Sequence, residues 1–284
     1  MKKGLVLEGG GLRGMFTSGV IDALLEDGVT FDGMIGVSAG ALFGCNFKSG
    51  QKGRALRYNI QLKNDPRYMG IRPLLKTGNI VSADFSYHVV PFDIDPFDAE
   101  AFRENPMDFW LVATDIETGE PVYHQMKEFN HEEMEWMRAT SSMPAVSHPV
   151  EIDGMMLLDG GMIDAIPLKA FQQKGYERNV VVLTQPRSYY KTRSRSLIWI
   201  IRKLTKKYPL VADIMARRHE MYNAELEYIA QQEKEGNALL IYPEKPLRIG
   251  RTELSEKKMR RVHRQGYDVA KSMMAQIREF LNNC

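Results

Sequence analysis

The alternation of apolar and polar positions along the 284-residue chain changes period several times, and each change marks an element. Residues 4–7, Gly-Leu-Val-Leu, form a short apolar run that stops at Glu8 and three glycines. From Met15 to Asp27 apolar residues fall at helical spacing, Val20 and Leu24 among them, and Gly28 closes the segment. The pattern predicts strand, tight turn, helix. It then repeats: Phe31 to Val37 reads as a strand, Ser38 interrupts it, and Ala39 to Phe47 reads as a helix of mostly small residues before Gly50 and Gly53. Two such units in succession predict parallel strands joined by crossover helices.

Residues 64–106 are rich in Pro, Gly, Asn and Asp and carry little periodicity, which predicts a long surface excursion with short helices, of the kind often used as a functional lid. Phe109 to Thr114 reads as a strand, Glu117-Thr118-Gly119-Glu120 as a turn, and Pro121 to Gln125 as the returning arm of a hairpin. A helix is expected from near His131. Met155 to Leu158 predicts a buried strand ending at Asp159-Gly160-Gly161, followed by a helix from about Leu168 and an apolar strand over Val180 to Thr184. Beyond Pro186 the pattern is mainly helical, with one strand at Ala238 to Tyr242 and one long final helix from Ser255 to Leu281. Met259, Val262, Val269, Met273, Ile277 and Phe280 give that helix a single apolar face. There is no internal repeat and no low-complexity segment.

Composition narrows the class. With 44% hydrophobic and 26% charged residues the chain is an ordinary globular one, neither disordered nor fibrous. Thirty-eight Lys and Arg against 36 Asp and Glu leave a net charge of +2, too small a global field to imply a nucleic acid partner. Two cysteines, Cys45 and Cys284, make no disulfide framework and fit a reducing compartment. The longest apolar run, Leu197-Ile198-Trp199-Ile200-Ile201, falls far short of the roughly 18–20 residues that span a bilayer. Lys2 and Lys3 precede an apolar tetrad, but Glu8 interrupts it before a secretory core forms, so a cytoplasmic location is expected.

Three places carry candidate chemistry. Residues 9–14, Gly-Gly-Gly-Leu-Arg-Gly, satisfy GxGxxG between a strand and a helix. A dinucleotide site there would need an acid about 20 residues on; Asp32 lies 18 beyond Gly14 but precedes its strand instead of ending it. The same turn could gather backbone N–H groups to hold a developing oxyanion, with Gly10 and Gly11 as main donors and Arg13 orienting the loop or stabilising charge. A third reading is a tight turn packing helix on sheet. Residues 36–40, Gly-Val-Ser-Ala-Gly, match GxSxG, where a strained strand-to-helix turn pushes the Ser38 hydroxyl outward and Gly36 and Gly40 avoid clashes; the alternative is a serine capping the helix from Ala39. A serine nucleophile requires a base. His219 and His263 come late enough for a Ser-acid-His triad, while Asp159 ends an apolar strand at the sheet edge expected for Ser38, with Asp164 a weaker rival.

Gly9 to Gly14 as GGGxRG, Gly36 to Gly40 as GxSxG, and Asp159-Gly160-Gly161, in that order, resemble the patatin-like phospholipase family. Ala139 to Pro144 ahead of the acid, and Thr114-Asp115 with Thr118-Gly119, look similar to its pattern, and the resemblance covers roughly residues 3–185. It implies a three-layer α/β/α fold with a mostly parallel central sheet as the catalytic unit over residues 3–185; beyond it, where no family motif is matched, the helical pattern predicts that residues 186–284 form a mainly helical region packed on the same domain. It further implies a Ser-Asp dyad without histidine: Ser38 as nucleophile, Asp159 as base, Gly9, Gly10, Gly11, Arg13 and Gly14 as the oxyanion loop, Gly36 and Gly40 as the elbow, Gly160 and Gly161 as the acid motif. The reaction would be hydrolysis of a lipid or phospholipid ester without metal or cofactor. Many relatives have Asp-Gly-Ala where this chain has Asp-Gly-Gly. A lipid-binding module without turnover is the rival from another class.

From Arg178 to Ala212 there are nine Lys or Arg and no Asp or Glu, with Leu197 to Ile201 in their midst. Residues 193–207 therefore read either as an interfacial helix contacting anionic membrane, which would put the protein peripherally on the inner membrane face, or as a charged helix with one buried stripe.

Overall fold

A computed structural model describes residues 1–282; Cys284 lies outside the described residues. β1 (Lys2–Leu7) and β2 (Gly33–Val37) are apolar where they are buried because both faces of their sheet are covered. Leu5 and Leu7 enter one core and Val6 the other, and Met34 and Ile35, or Val180 and Val181, divide in the same way. α1 (Met15–Glu26) and α2 (Ala39–Lys48) follow β1 and β2, and β3 (Asp108–Asp115) continues the parallel set. β4 (Pro121–Gln125) pairs back on β3 as the expected hairpin.

After α6 (His131–Ser141), β5 (Val150–Ile152) and β6 (Met155–Asp159) form a hairpin whose second strand runs antiparallel to β3. α7 (Leu168–Gln173) leads to β7 (Tyr176–Val182), parallel to β1, and β8 (Ala238–Ile241) adds in parallel to β7. The eight strands make one sheet with the path β5-β6-β3-β2-β1-β7-β8, β4 pairing with β3. One core joins the sheet to α1, α2, α6 and the C-terminal helices α10 (Glu256–Ser272) and α11 (Met274–Asn282); the other joins it to α7 and, through Tyr222 and Ile229, to α9 (Pro209–Lys234). The expected three-layer, mostly parallel architecture with a helical C-terminal region is what forms.

The single final helix expected from Ser255 to Leu281 is two. At Met273 (φ −94°, ψ 0°) the N–H is shared between the carbonyls of Val269 and Ala270, and the Ser272 hydroxyl bonds back to Val269, competing with the helical ladder. The turn keeps Met274, Ile277 and Leu281 in the core. α10 is locked to α1 by a glycine on each: a Cβ on Gly19 would collide with the His263 carbonyl, and one on Gly266 with the Phe16 carbonyl.

The excursion over 64–106 follows α3 (Arg54–Gln61) and contains α4 (Ile71–Thr77), a wide-wound segment from Asp84 to Ile94, and α5 (Ala99–Glu104). In the wide segment the Asp95 N–H reaches five residues back to Val90, around Pro91, which has no N–H to give.

Candidate active site

Ser38 leaves β2 with φ +54° and ψ −124°, a left-handed conformation that a side chain occupies only when its surroundings impose it. The flanking glycines provide the room: a Cβ on Gly36 would stand 2.6 Å from the Ala41 nitrogen, and one on Gly40 would strike the Leu7 carbonyl. The Ser38 N–H donates to Thr140 Oγ1 at 3.0 Å, and Thr140 donates to the Val112 carbonyl at 2.5 Å. The Ser38 hydroxyl does not cap α2, which removes the helix-cap reading. It lies instead beside the Asp159 carboxylate, where it favours the ionised form.

The topology explains how the two meet. On β3, Asp108 donates to Asp32 ahead of β2 and Ile116 donates to Met156 of β6, so even-numbered residues turn their amides toward one side; Phe109 and Asp115 bond to the chain flanking β4 on the other. β2 and β6 therefore lie end to end on one side of β3. β2 is level with Val112 at Val37, and β6 with Ala113 at Asp159, so the elbow departs where the acid arrives. Asp159 reaches the site on an antiparallel strand, a detail its position after an apolar run does not disclose.

Asp159 is buried. Its Oδ1 accepts the Gly161 N–H at 2.8 Å and its own N–H donates to the Ser142 carbonyl at 2.8 Å. Desolvation pushes its pKa above the ordinary carboxylate value, against Ser38 beside it, the Gly161 hydrogen bond and the charges of Arg218 and Arg251. Gly160 packs against the Val112 carbonyl with no room for a Cβ; at Gly161 a Cβ would stand 3.0 Å from Asp159 Oδ1 and 3.6 Å from Arg218 Nη2.

The glycine turn faces the same space. Gly10 is extended (φ −179°), Gly11 turns to φ +57°, and Gly11–Gly14 forms a single 3-10 turn that runs straight into α1. The Leu12 N–H is spent on the Arg251 carbonyl (2.9 Å) and the Arg13 N–H on Gly10 (3.3 Å), while the N–H groups of Gly9, Gly10 and Gly11 have no protein acceptor among the described residues. A Cβ on Gly14 would stand 2.9 Å from the Phe43 ring, so this last glycine serves helix packing.

Two branches of one cleft meet at Ser38, Gly11, Met143 and Arg251. The narrower, about 120 Å³, is apolar and is walled by Leu42, Phe43, Met134 and Met137 together with Tyr87, Val90 and Pro91 of the long excursion. The wider, about 370 Å³, is the more polar of the two and, beside apolar residues such as Leu197, Ile198 and Met215, holds Glu8, Arg13, Asp159, Lys191, Arg218 and Arg251. Glu8, buried at the end of β1, accepts from the Thr184 N–H (2.5 Å) and the Tyr222 hydroxyl (2.7 Å). Arg218 of α9 donates to the Gly161 carbonyl at 2.5 Å. Burial and the neighbouring arginines bring the Lys191 ammonium down to about 7. Thr140, Glu8, Lys191, Arg218 and Arg251 are given no site role by the sequence; Glu8, a charge ending an apolar strand, and Thr140, within the Ala139 to Pro144 stretch, are the two that carry a local signal.

None of the rival candidates is hydrogen-bonded to Ser38 or Asp159. His263 binds Asp22 at 2.8 Å between α10 and α1, which removes it as a partner for Ser38. His219 lines the polar branch but makes no hydrogen bond to Ser38 or Asp159; its Nδ1 is buried and unpaired. Asp164 accepts from the Tyr123 hydroxyl (2.7 Å) and interacts with Glu225, so it is not the serine's acid. Asp32 accepts the Lys3 N–H at 2.7 Å at the opposite end of the strands, which removes the ribose reading. Among the described residues no group of three or more His, Cys, Asp or Glu is placed to hold a metal ion.

Beside the polar branch, α8 (Arg195–Leu204) turns Leu197 (47% exposed), Trp199 (59%), Ile200 (45%) and Leu204 (64%) outward and buries Ile201. Lys203 lies over the Trp199 ring at 3.8 Å. No helix among the described residues is long and apolar enough to cross a membrane.

Comparison with known proteins places these features in a family. A family model described as patatin-like phospholipase matches residues 5–171, and one described as a domain of unknown function (DUF6363) matches residues 208–282. The Escherichia coli (strain K12) protein YjjU is 28% identical over 252 residues, which cover 86% of this chain and 69% of that one. An NTE family protein of Mycobacterium tuberculosis (strain H37Rv) is 30% identical over 164 residues, 58% of this chain and 44% of the relative. Lysophospholipase NTE1 of Kluyveromyces lactis is 28% identical over 182 residues, 61% of this chain but only 12% of its own length. The solved structure of VipD from Legionella pneumophila aligns with a TM-score of 0.48 at 14% identity, covering 97% of this chain and 67% of that one. With the matched model spanning more than half of its length, the chain belongs to the patatin-like phospholipase family.

Proposed function

We propose that the protein is a serine acyl hydrolase that cleaves carboxylic esters of lipids with Ser38 as nucleophile and Asp159 as base. The observation that carries this is the placement of Ser38, held at a positive φ at the end of β2, beside a buried carboxylate that arrives level with it on β6 and whose proton affinity is raised. Substrate binds with its acyl chain in the apolar branch and its alcohol portion in the polar one. Ser38 Oγ attacks the ester carbonyl carbon as its proton passes to Asp159, and the carbonyl oxygen, now an oxyanion, is held by the free N–H groups of Gly9 to Gly11, with Arg13 and Gly14 shaping their turn. Collapse breaks the ester C–O bond, and the leaving alcohol takes the proton from Asp159. Water then attacks the acyl-serine, gives a proton to Asp159, and the fatty acid departs as Ser38 Oγ takes that proton back. Ester and water become acid and alcohol with no metal or redox partner in any step. The test is hydrolysis of short and long p-nitrophenyl esters: turnover by the wild type, none by Ser38→Ala and severe impairment of Asp159→Asn support the dyad, whereas unimpaired Asp159→Asn with inactive His219→Ala would favour a histidine triad.

We assign residues 3–185 as the catalytic unit and 186–284 as a region that covers the polar branch, the latter supported by Lys191, Arg218 and Arg251. The protein is cytoplasmic in this reading and sits transiently on anionic membrane through residues 193–207, with the exposed face of α8 toward the lipid and its cations toward the head groups. Loss of co-sedimentation with anionic vesicles when Arg202, Lys203, Lys206 and Lys207 are replaced by Gln supports this contact; unchanged co-sedimentation removes it.

A further inference from the structure

The polar branch holds more charge than ester hydrolysis needs. Arg13, Lys191, Arg193, Arg218 and Arg251 line it together with only two carboxylates, and both of these are already engaged: Glu8 by Thr184 and Tyr222, Asp159 by the Gly161 N–H beside Ser38. Among the described residues Arg13, Lys191 and Arg251 have no carboxylate within ion-pair distance and no side-chain hydrogen bond, and the Arg13 Nε is buried without a partner. Clustered, partly buried cations that repel one another are costly unless something negative joins them. Five basic side chains against two carboxylates leave the branch with a surplus of positive charge.

Resting on the acyl-hydrolase reading, we infer that this half of the cleft is a phosphate subsite, and that the substrate is an ester whose alcohol portion ends in a phosphomonoester, such as an acylated glycerol phosphate. A phosphate dianion offsets much of that positive charge, and the branch begins at Ser38, where the ester must lie, so the phosphate sits on the leaving-alcohol side. Guanidinium groups suit phosphate because they donate in a planar fork. A choline-capped phosphate fits less well: a quaternary ammonium needs a carboxylate or an aromatic face, and the rings of Tyr189 and Tyr222 are already covered by Lys191, at 6.0 and 4.8 Å from their centroids. The cations come from the glycine turn and from three places in the region after residue 186, so this subsite exists only where that region folds onto the catalytic unit.

Two measurements test this separately from the hydrolase reading. Binding of glycerol 3-phosphate and of inorganic phosphate to the intact Ser38→Ala chain is measured by calorimetry, with and without Lys191→Gln or Arg251→Gln, after thermal unfolding shows each variant folded. Hydrolysis of chain-matched lysophosphatidic acid, lysophosphatidylcholine and monoacylglycerol is then compared. The expected result is glycerol 3-phosphate binding that weakens about tenfold in each variant, with a similar fall, mainly through KM, in the preference for lysophosphatidic acid over monoacylglycerol. Absent or variant-insensitive glycerol 3-phosphate binding overturns the subsite even if esters are cleaved. Equal turnover of the three lipids with equally tight binding of inorganic phosphate overturns the head-group assignment in favour of a free-phosphate site. Variant-sensitive glycerol 3-phosphate binding without turnover of any ester keeps the anion site and sinks the hydrolase reading.

Discussion

The backbone N–H of Ser38 donates to the side-chain oxygen of Thr140 at 3.0 Å. Because that hydroxyl also donates to Val112 on β3, one side chain from α6 holds the elbow and the central strand together where the edge of β3 passes from β2 to β6. Without it the Ser38 N–H and the Val112 carbonyl would be buried and unpaired.

Thr140→Val keeps the shape and removes the oxygen. It is expected to lower stability by about 1–3 kcal/mol, the cost of leaving buried backbone groups unsatisfied, and to reduce kcat by tenfold or more as the serine loses its fixed position. Thr140→Ser should retain most of both. Chemical denaturation and ester hydrolysis on the three proteins check this.

Burial lifts the Asp159 carboxyl above its ordinary value, and Arg218 opposes that lift. Asp159 must be ionised to take the serine proton, so activity is expected to fall on acidification at a pH above the usual carboxylate range. Arg218→Met removes the opposing charge, raises the proton affinity further, and should move this acid limb to higher pH in a kcat/KM profile. The same shift has a stability consequence. A carboxyl with a folded pKa above its unfolded one favours folding when protonated, and that contribution is lost as pH rises through the folded value. Asp159→Asn should therefore unfold at a higher temperature than wild type at neutral pH while being catalytically impaired.

Lys191, with a pKa brought down to about 7 by burial and by the charges of Arg218, Arg251 and Arg13 against that of Glu8, lies over the rings of Tyr189 and Tyr222. It loses its charge as pH rises past that value, so affinity for a phosphate-bearing ligand is expected to decline from neutral to mildly alkaline pH. In Lys191→Gln the decline should be flattened. Titrating glycerol 3-phosphate into both proteins between pH 6 and 9 reads the difference directly.

Gly266→Val places a branched Cβ where the Phe16 carbonyl of α1 now lies. Neither backbone can yield without separating α1 from α10, so a loss of more than about 3 kcal/mol is expected, seen as a large fall in the unfolding midpoint.

Much of this was legible in the chain because it is local. The strand-glycine-helix grammar around Gly9 to Gly14 and Gly36 to Gly40 needs only sequence neighbours, and Gly-Val-Ser-Ala-Gly announces a strained turn by its two small flanks. The direction of β6 was not legible: Met155 to Asp159 reads as the same apolar run whichever way it enters the sheet. Arg218 and Lys191 were hidden for another reason. Each belongs to a segment dense in Lys and Arg, where a cation turned inward looks like its solvated neighbours. The break at Met273 escaped because neither Gly nor Pro marks it; a serine side chain competing for a carbonyl does.

The central claim is that Ser38 is a nucleophile activated by Asp159. Its most direct measurement is the intact mass of the protein after exposure to a fluorophosphonate, with the labelled peptide identified. The account predicts one adduct on Ser38 in the wild type, none in Ser38→Ala, and much slower labelling of Asp159→Asn. Folded wild-type protein that takes no label, or a label on another residue that persists in Ser38→Ala, would contradict it.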